Sequence, residues 1–342
     1  MLHRARFVTF DAYIPAGPIK ASHFTIREQE VPGLEEGEVL LKPIVFSIDP
    51  TLRNLITGAK DYFLPQYPPG APMRGPAIAR IIGSRNAKFP TGGLVSGWFA
   101  WADYLVWPFP NDWFGLTPVD EQLGKPSHAL GVYGLTGLTA YFGIVDVGQV
   151  QAGQSVLVSS AAGSVGSIAG QIAKILGAHV IGLTSSEAKC DVLTRQLNFD
   201  AALVYRAPDF ADQLAKVLPN GPDVYFDNVG GQVSQIVMSQ MRRPARVVEC
   251  GQISTYDDAD GAWMVDIKPI HRHGLRFEGF NPLLFSEEWP RALSRLAGWV
   301  SSTQLVPLET EYRGLEFLPQ ALEGLFRGEN VGKMVVTAAE SM

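Results

Sequence analysis

The sequence predicts an α/β chain with two parts, a β-rich unit followed by a doubly wound parallel sheet. Three observations lead there. The first 125 residues read as short strands broken by turn residues, the pattern of a β-rich barrel or sandwich. From Gly131 onward, apolar strand-like runs alternate with helical segments, as in βαβ units around a parallel sheet. Finally, a glycine-bearing turn joins the first strand of this alternating part to its helix, at Ser160 to Gly166.

The elements follow in order. Glu38 to Ser47 has a strand's apolar and β-branched content, interrupted by Pro43. A proline-rich stretch follows, with Pro50, Pro65, Pro68, Pro69, Pro72 and Pro76. Ala77 to Ile82 and the aromatic Trp98 to Val106 are further strands. Thr136 to Val145 reads as a helix. Ser155 to Ser159 is an apolar strand, and Val165 to Leu176 a helix that Gly177 is suited to end. Strands at His179–Leu183, Ala201–Tyr205, Asp223–Phe226 and Arg246–Cys250 then alternate with helices at Glu187–Asn198, Phe210–Leu218 and Val233–Met241. Leu275 to Gly279 is a sixth strand. These strands are continuous apolar runs, as burial on both faces requires. Glu288 to Gln304 is a closing helix. The tail from Val306 has a helix at Pro319 to Arg327 and a strand at Lys333 to Thr337, and it is expected to rejoin the first part.

At 342 residues the chain is long enough for about two domains. We expect residues 1–125 with 306–342 to form one and 126–305 the other. Lys and Arg total 28 against 34 Asp and Glu, a net charge of −6, which offers no basic footprint for nucleic acid. Hydrophobic residues at 46% and charged ones at 18% support a large buried core. Cys190 and Cys250, the two cysteines, make neither a disulfide framework nor a Cys-rich zinc site. No apolar run approaches the roughly 20 residues of a membrane span, and no repeat of fixed period is visible. Met1 to Phe10 has no apolar core of a secretory signal, so a cytoplasmic location is expected.

Strand, tight turn, helix is the setting of a dinucleotide site. Gly163 would let the backbone approach a pyrophosphate without a Cβ, and Gly166 would let the helix pack close to its strand. The helix N-terminus would then present free N–H groups to the phosphates. The usual fingerprint carries an earlier third glycine where Ser160 stands, and the bland reading is a βα turn with no ligand. NAD-specific sites place an acid at the tip of the second strand. Here that tip is Leu183-Thr184-Ser185-Ser186, which has hydroxyls but no acid, with Lys189 one turn further on. This suits a 2′-phosphate, hence NADP(H). Glu187 lies among these residues, where the first turn of a helix gives it the role of complementing the dipole.

Ligands for a catalytic zinc are missing where they would be needed. The first part has only His3 and His23 and no Gly-His-Glu segment, and the cysteines lie in the second part. There is neither a G-x-S-x-G elbow nor a P-loop lysine. The expected chemistry is therefore metal-free hydride transfer. Its acceptor needs a carbon activated by conjugation, such as the β-carbon of an α,β-unsaturated ketone or aldehyde. An O–H donor would stabilise the enolate oxygen that forms.

Four segments carry a resemblance: Tyr225-Phe226-Asp227-Asn228-Val229-Gly230-Gly231, Cys250-Gly251-Gln252-Ile253-Ser254-Thr255-Tyr256, Phe277-Glu278-Gly279-Phe280 and Gly328-Glu329-Asn330-Val331-Gly332-Lys333. With them the chain, over nearly its whole length, resembles the medium-chain dehydrogenase/reductase superfamily. Within it, the chain is similar to the zinc-free, NADPH-dependent alkenal/one oxidoreductases, the group of prostaglandin and curcumin reductases. The resemblance implies a Rossmann-type doubly wound sheet plus a β-rich GroES-like domain. It also implies reduction of the C=C bond of small enone or enal substrates, and a homodimer. Residue by residue, it implies that Gly163, Ser164, Val165 and Gly166 form the pyrophosphate turn. Lys189 and Tyr205 would hold the 2′-phosphate, and Asn228 would stand beside the nicotinamide. Cys250, Gly251, Ile253 and Ser254 would line its pocket, Phe280 would belong to the covering loop, and Asn330 would touch the cofactor near the C-terminus. Tyr256 matches the tyrosine that meets the substrate carbonyl. The residues themselves agree on this point, because Tyr256 follows the fifth strand at its ligand-binding end and phenols are proton donors.

One departure stands out. Where the family has Asp-Pro-Tyr-Met-Arg, this chain has Asp49-Pro50-Thr51-Leu52-Arg53. Thr51 removes a ring near the substrate and reshapes the pocket. Arg53 is either a substrate contact or a structural ion pair with Asp49 or a neighbour. Asp61 to Leu64 and Trp98 to Trp101 are aromatic stretches that suit pocket walls or core. The alternative functions are a quinone oxidoreductase on the same scaffold and a non-catalytic NADP-binding protein.

Overall fold

The structure, a computed structural model, describes residues 4–60, 64–108, 115–257 and 266–339. It falls into two compact units. One comprises Met1–Leu130, Glu309–Glu329 and Met334–Met342, and the other Gly131–Leu308 with Asn330–Lys333.

The first unit starts with β1 (Arg4–Phe10), β2 (Phe24–Glu30), β3 (Val39–Ser47) and the single turn α1 (Thr51–Asn54). β4 (Arg74–Ser84), β5 (Leu94–Ala100), β6 (Leu105–Trp107) and β7 (Thr117–Pro118) follow. The second unit runs through α2 (Leu135–Phe142), β8 (Ser155–Val158), α3 (Ser164–Ile175), β9 (His179–Thr184), α4 (Glu187–Arg195) and β10 (Ala201–Val204). It continues with α5 (Phe210–Val217), β11 (Val224–Asp227), α6 (Gly231–Ser239), β12 (Ala245–Glu249), α7 (Lys268–His273), β13 (Leu275–Gly279) and α8 (Trp289–Ser301). The chain ends with β14 (Glu309–Arg313), α9 (Leu318–Arg327) and β15 (Lys333–Thr337).

In the first unit the strand order is β14-β15-β3-β4-β5-β7, with β6 on β3 and a separate antiparallel pair β1-β2. Val335, Val336 and Thr337 of the tail pair with Ser47, Phe46 and Val45 of β3. Pro43 lies within β3, where the β3–β4 register slips between Pro43 and Val45; a residue without an N–H is tolerated at such a bulge. The aromatic run from Trp98 to Val106 is two strands rather than the one expected. Between them the chain turns, with the Trp101 N–H on the Met73 carbonyl at 2.7 Å and the Asp103 N–H on Arg6 at 3.0 Å. Trp101 is fully buried in this unit's core.

The second unit is the Rossmann-like α/β part. Its sheet has the order β10-β9-β8-β11-β12-β13, all parallel. Alternation along each strand sends Val156, Val158, Phe226 and Val248 to one core with α2, α3 and α8. Leu157, Tyr225 and Val247 go to the other core with α5 and α6. Both faces are buried, which is why these strands read as continuous apolar runs. The order reverses between β8 and β11. That switch point is where ligands sit in open parallel sheets, beyond the carboxyl ends of the strands.

Candidate active site

At the carboxyl end of β8, Ser160 has φ 48°, a left-handed conformation that glycine enters freely and other residues at a cost. This accounts for the earlier glycine in the usual fingerprint. The Gly163 N–H closes the turn on the Ser160 carbonyl at 2.9 Å. A Cβ on Gly166 would stand 2.3 Å from that same carbonyl oxygen, so only glycine allows the helix to start this close to the strand. Gly163 is the N-cap of α3 and supplies no side-chain cap, leaving the first helical N–H groups without intrahelical partners. Val165 is half-buried against the core. Ser164 Oγ is shielded from solvent and has no hydrogen-bond partner among the described residues.

The switch point is spanned by Asn228. Its N–H donates to Ser159 Oγ at 2.8 Å, and its Nδ2 to the Ser159 carbonyl at 2.7 Å. Beneath it Asp227, 1% exposed, accepts from Ser159 Oγ (3.0 Å), the Tyr225 hydroxyl (2.8 Å), the N–H groups of Val229 (2.9 Å) and Gly230 (3.1 Å), and Ser234 Oγ. The loop after β12 lies across the loop after β11. The Ile253 N–H reaches the Asn228 carbonyl at 3.4 Å, and the Ser254 N–H reaches the Val229 carbonyl at 3.1 Å. Gly230 and Gly231 have φ of 70° and 63°, and a Cβ on each would meet Gln252 at 3.0 Å and Ser254 Oγ at 2.8 Å. The paired glycines thus serve both the turn and the crossing. Tyr256 ends the short helical turn of this second loop and is half-buried. Its hydroxyl lies 3.7 Å from where a Gly251 Cβ would stand.

At the tips of β9 and β10, Lys189 is partly buried, and its pKa is lowered by that burial and by the charge of Arg206. The Arg206 guanidinium stands 5.7 Å over the Tyr205 ring. On the other side of the turn, Gly332 donates to the Ala162 carbonyl at 2.8 Å, and Gly163 and Gly332 form a parallel bridge. Asn330, 7% exposed, is fixed there by its Nδ2 on the Gly332 carbonyl at 2.9 Å.

Comparison with known proteins bears on this arrangement. Residues 7–112 match the family described as the N-terminal domain of oxidoreductase, and residues 164–298 the family described as zinc-binding dehydrogenase. Mouse prostaglandin reductase 1 is 38% identical over 92% of this chain and 94% of its own. The NADPH-dependent curcumin reductase of Escherichia coli is 32% identical over 95% and 94%. The crystal structure of CurA from Vibrio vulnificus in complex with NADPH superposes with a TM-score of 0.90 at 33% identity, covering 98% of this chain and 100% of that one. The chain belongs to the medium-chain dehydrogenase/reductase family.

Seen as a member of that family, the chain has residues that fit an NADP(H) molecule. The test is local: an uncapped helix N-terminus and an orphaned Ser164 hydroxyl lie at the turn, and Lys189 and Arg206 bring positive charge to the acid-free strand tips, as a bound anion requires. Most of the expected cofactor residues come together in the second unit: Gly163 to Gly166, Asn228, Gly251, Ile253, Ser254 and Asn330 around the switch point, with Lys189 and Tyr205 at the neighbouring tips.

Two of the expected side chains pack inward. The Cys250 thiol packs toward the core; burial, together with Glu249 and Asp227, pushes it above the usual thiol range, and its N–H is spent on the Asp227 carbonyl at 2.8 Å. The Phe280 ring meets Phe226 edge-on at 6.4 Å and closes on Gly143, where a Cβ would stand 2.7 Å from it.

In the first unit Thr51 opens α1 and is half-buried. Arg53 is fully buried and donates to the carbonyls of Ile14 at 2.6 Å and Gly17 at 3.2 Å, so it anchors the 14–17 loop. Residues 61–63 of the expected aromatic wall lie outside the described residues. Among the described residues no group of three or more His, Cys, Asp or Glu is placed to hold a metal ion.

Sequence reasoning missed Arg206 and Asp227. The signal for Arg206 was a second cation adjacent to Tyr205. For Asp227 it was an acid closing a strand just before Asn-Val-Gly-Gly, where free N–H groups need an acceptor.

Proposed function

We propose that the chain reduces the activated C=C bond of α,β-unsaturated ketones or aldehydes with NADPH, without a metal, as a cytoplasmic homodimer. The observation that carries this reading is a convergence at the carboxyl end of one parallel sheet. An uncapped helix N-terminus, a cation pair at the second and third strand tips, and a tyrosine hydroxyl beyond the fifth strand meet there. Bound NADPH supplies the hydride. The protein's own residues do the rest. The Gly163–Gly166 turn and Ser164 hold the pyrophosphate, while Lys189, Arg206 and Tyr205 hold the 2′-phosphate. Asn228 and the 250–254 loop position the nicotinamide half. The Tyr256 hydroxyl donates to the substrate carbonyl oxygen as charge develops on it. The resemblance to a curcumin reductase supports this substrate class, since curcumin is itself a conjugated enone.

The homodimer is supported by β13, which among the described residues pairs on one side only, and by Phe277, Leu283 and Leu284 exposed near it, Leu284 to 82%. Steady-state NADPH oxidation with an enone series beside a quinone series, with and without EDTA, tests the reaction. Turnover of enones in EDTA is expected. Quinone turnover alone would replace the substrate class, loss of rate restored by zinc would contradict the metal-free chemistry, and no turnover with either series would leave a binding protein. Light scattering tests the dimer.

A further inference from the structure

Asp227 and Glu249 are register partners on adjacent parallel strands, so alternation puts both side chains on the face shared with Tyr225 and Val247. Their surroundings differ. Asp227 accepts from five donors, as described above. Neither carboxyl oxygen of Glu249 reaches solvent or has a hydrogen-bond partner among the described residues. The Gln252 amide lies near enough to favour its charge slightly, without a hydrogen bond of ordinary geometry. Glu249 is also the last residue before the loop that crosses the Asn228–Gly231 loop. A second negative charge here would have no donor of ordinary geometry and would face the Asp227 carboxylate across one strand spacing.

We infer that Glu249 is a positioning residue that works as an uncharged acid: with its proton on, the 228–231 and 250–256 loops close together and present Asn228 and Tyr256, and with the proton off, repulsion from Asp227 loosens that crossing. The inference rests on the NADPH reading only for its effect on the cofactor.

The ionisable groups around Glu249 agree with it. Asp227 and Tyr225 come from β11, and the Tyr225 proton is directed to Asp227. Glu278 on β13 is paired with Arg276 at 2.9 Å. Cys250 holds its proton more firmly than an ordinary thiol. α6 contributes no ionisable side chain. Burial, and after it Asp227, raise the Glu249 pKa to about 8. A carboxyl raised in this way keeps its full stability contribution below its unfolded range and loses it as pH rises to about 8.

The experiment measures NADPH dissociation constants from pH 6.5 to 9.5 for the full-length wild type and Glu249→Gln, which mimics the protonated acid at every pH. The unfolding midpoints of both proteins without cofactor are measured over the same range and down to pH 4.5. Lys189 also sheds its proton on the alkaline side, so the readout is the difference between the two proteins. Equal affinity at pH 6.5 and roughly fivefold or more tighter binding by Glu249→Gln at pH 9.5 are expected. The unfolding midpoints should coincide near pH 4.5 and separate, with the variant higher, as pH rises to 8. Parallel profiles in both measurements overturn the inference. If neither protein binds NADPH, the cofactor reading fails while the unfolding profiles still decide the role of Glu249. If the variant does not fold, infrared spectra of the wild type with labelled glutamate decide. A protonated carboxyl signal present at pH 7 and gone by pH 9.5 upholds the inference, and its absence at pH 7 overturns it.

Discussion

Ser254 binds the Val229 carbonyl twice, through its hydroxyl at 2.6 Å and its N–H at 3.1 Å. This double bond of contacts ties the Tyr256-bearing loop to the loop that carries Asn228. Ser254→Ala removes the hydroxyl contact and keeps the other. A hydrogen bond of this kind is worth about 1 kcal/mol, so the loosened crossing should raise the NADPH dissociation constant by up to roughly fivefold and lower the unfolding midpoint by about 2–4 °C. Fluorescence titration with NADPH checks it. An unchanged constant would mean that the crossing does not set cofactor affinity.

Lys189 and Arg206 form one cationic site. Lys189→Ala and Arg206→Ala should each raise the KM for NADPH at least tenfold and leave that for NADH nearly unchanged, since only the former carries the extra phosphate. Lys189 already has its pKa lowered by burial and by Arg206, so in the wild type its charge, and NADPH affinity with it, is lost at a lower pH than for an ordinary lysine. Removing Arg206 should shift that alkaline limb upward even as it weakens binding overall. Initial rates across pH with both cofactors test the pair, and equal effects on NADH would remove the 2′-phosphate assignment.

These residues also show what a sequence can disclose. The Ser160–Gly166 turn was legible because its chemistry is local: a strand, two glycines and a helix within a dozen residues. The acid-free tip of β9 was legible for the same reason. Asp227 was legible only in part: its donors from Tyr225 to Ser234 are local, but Ser159, 68 positions earlier, is brought alongside only by the β8–β11 pairing. The Ile14 and Gly17 carbonyls that Arg53 meets lie 39 and 36 positions away, so nothing near it in sequence reveals them. β2 went unread because six of its seven residues are exposed, so its polar sequence has no period-2 apolar signal. β14, with no buried residue, escaped for the same reason.

Tyr256→Phe keeps the ring and removes the hydroxyl. If the hydroxyl is the only donor to the developing oxyanion, kcat with an enone should fall by about 10²–10³-fold, with the NADPH dissociation constant unchanged. Single-turnover hydride transfer measures this directly. A full rate in the variant would assign the donation to another group, such as a cofactor ribose hydroxyl.

Arg53 separates two roles that the sequence left equal. Its guanidinium is fully buried and donates to the buried Ile14 carbonyl and the part-buried Gly17 carbonyl. Arg53→Met keeps most of the apolar stem but strips the donors, leaving the Ile14 and Gly17 carbonyls short of partners. That should cost about 1–3 kcal/mol for each carbonyl left fully buried and unpaired, visible as a drop of several degrees in the unfolding midpoint. If anchoring is its work, whatever protein remains folded below that midpoint should reduce enones with nearly the wild-type KM, and NADPH, bound by residues of the other unit, should not restore the lost stability in full. If Arg53 held substrate instead, KM for the enone would rise tenfold or more with little change in unfolding. Thermal unfolding and enone KM on the same preparation therefore distinguish an anchor of the 14–17 loop from a substrate contact.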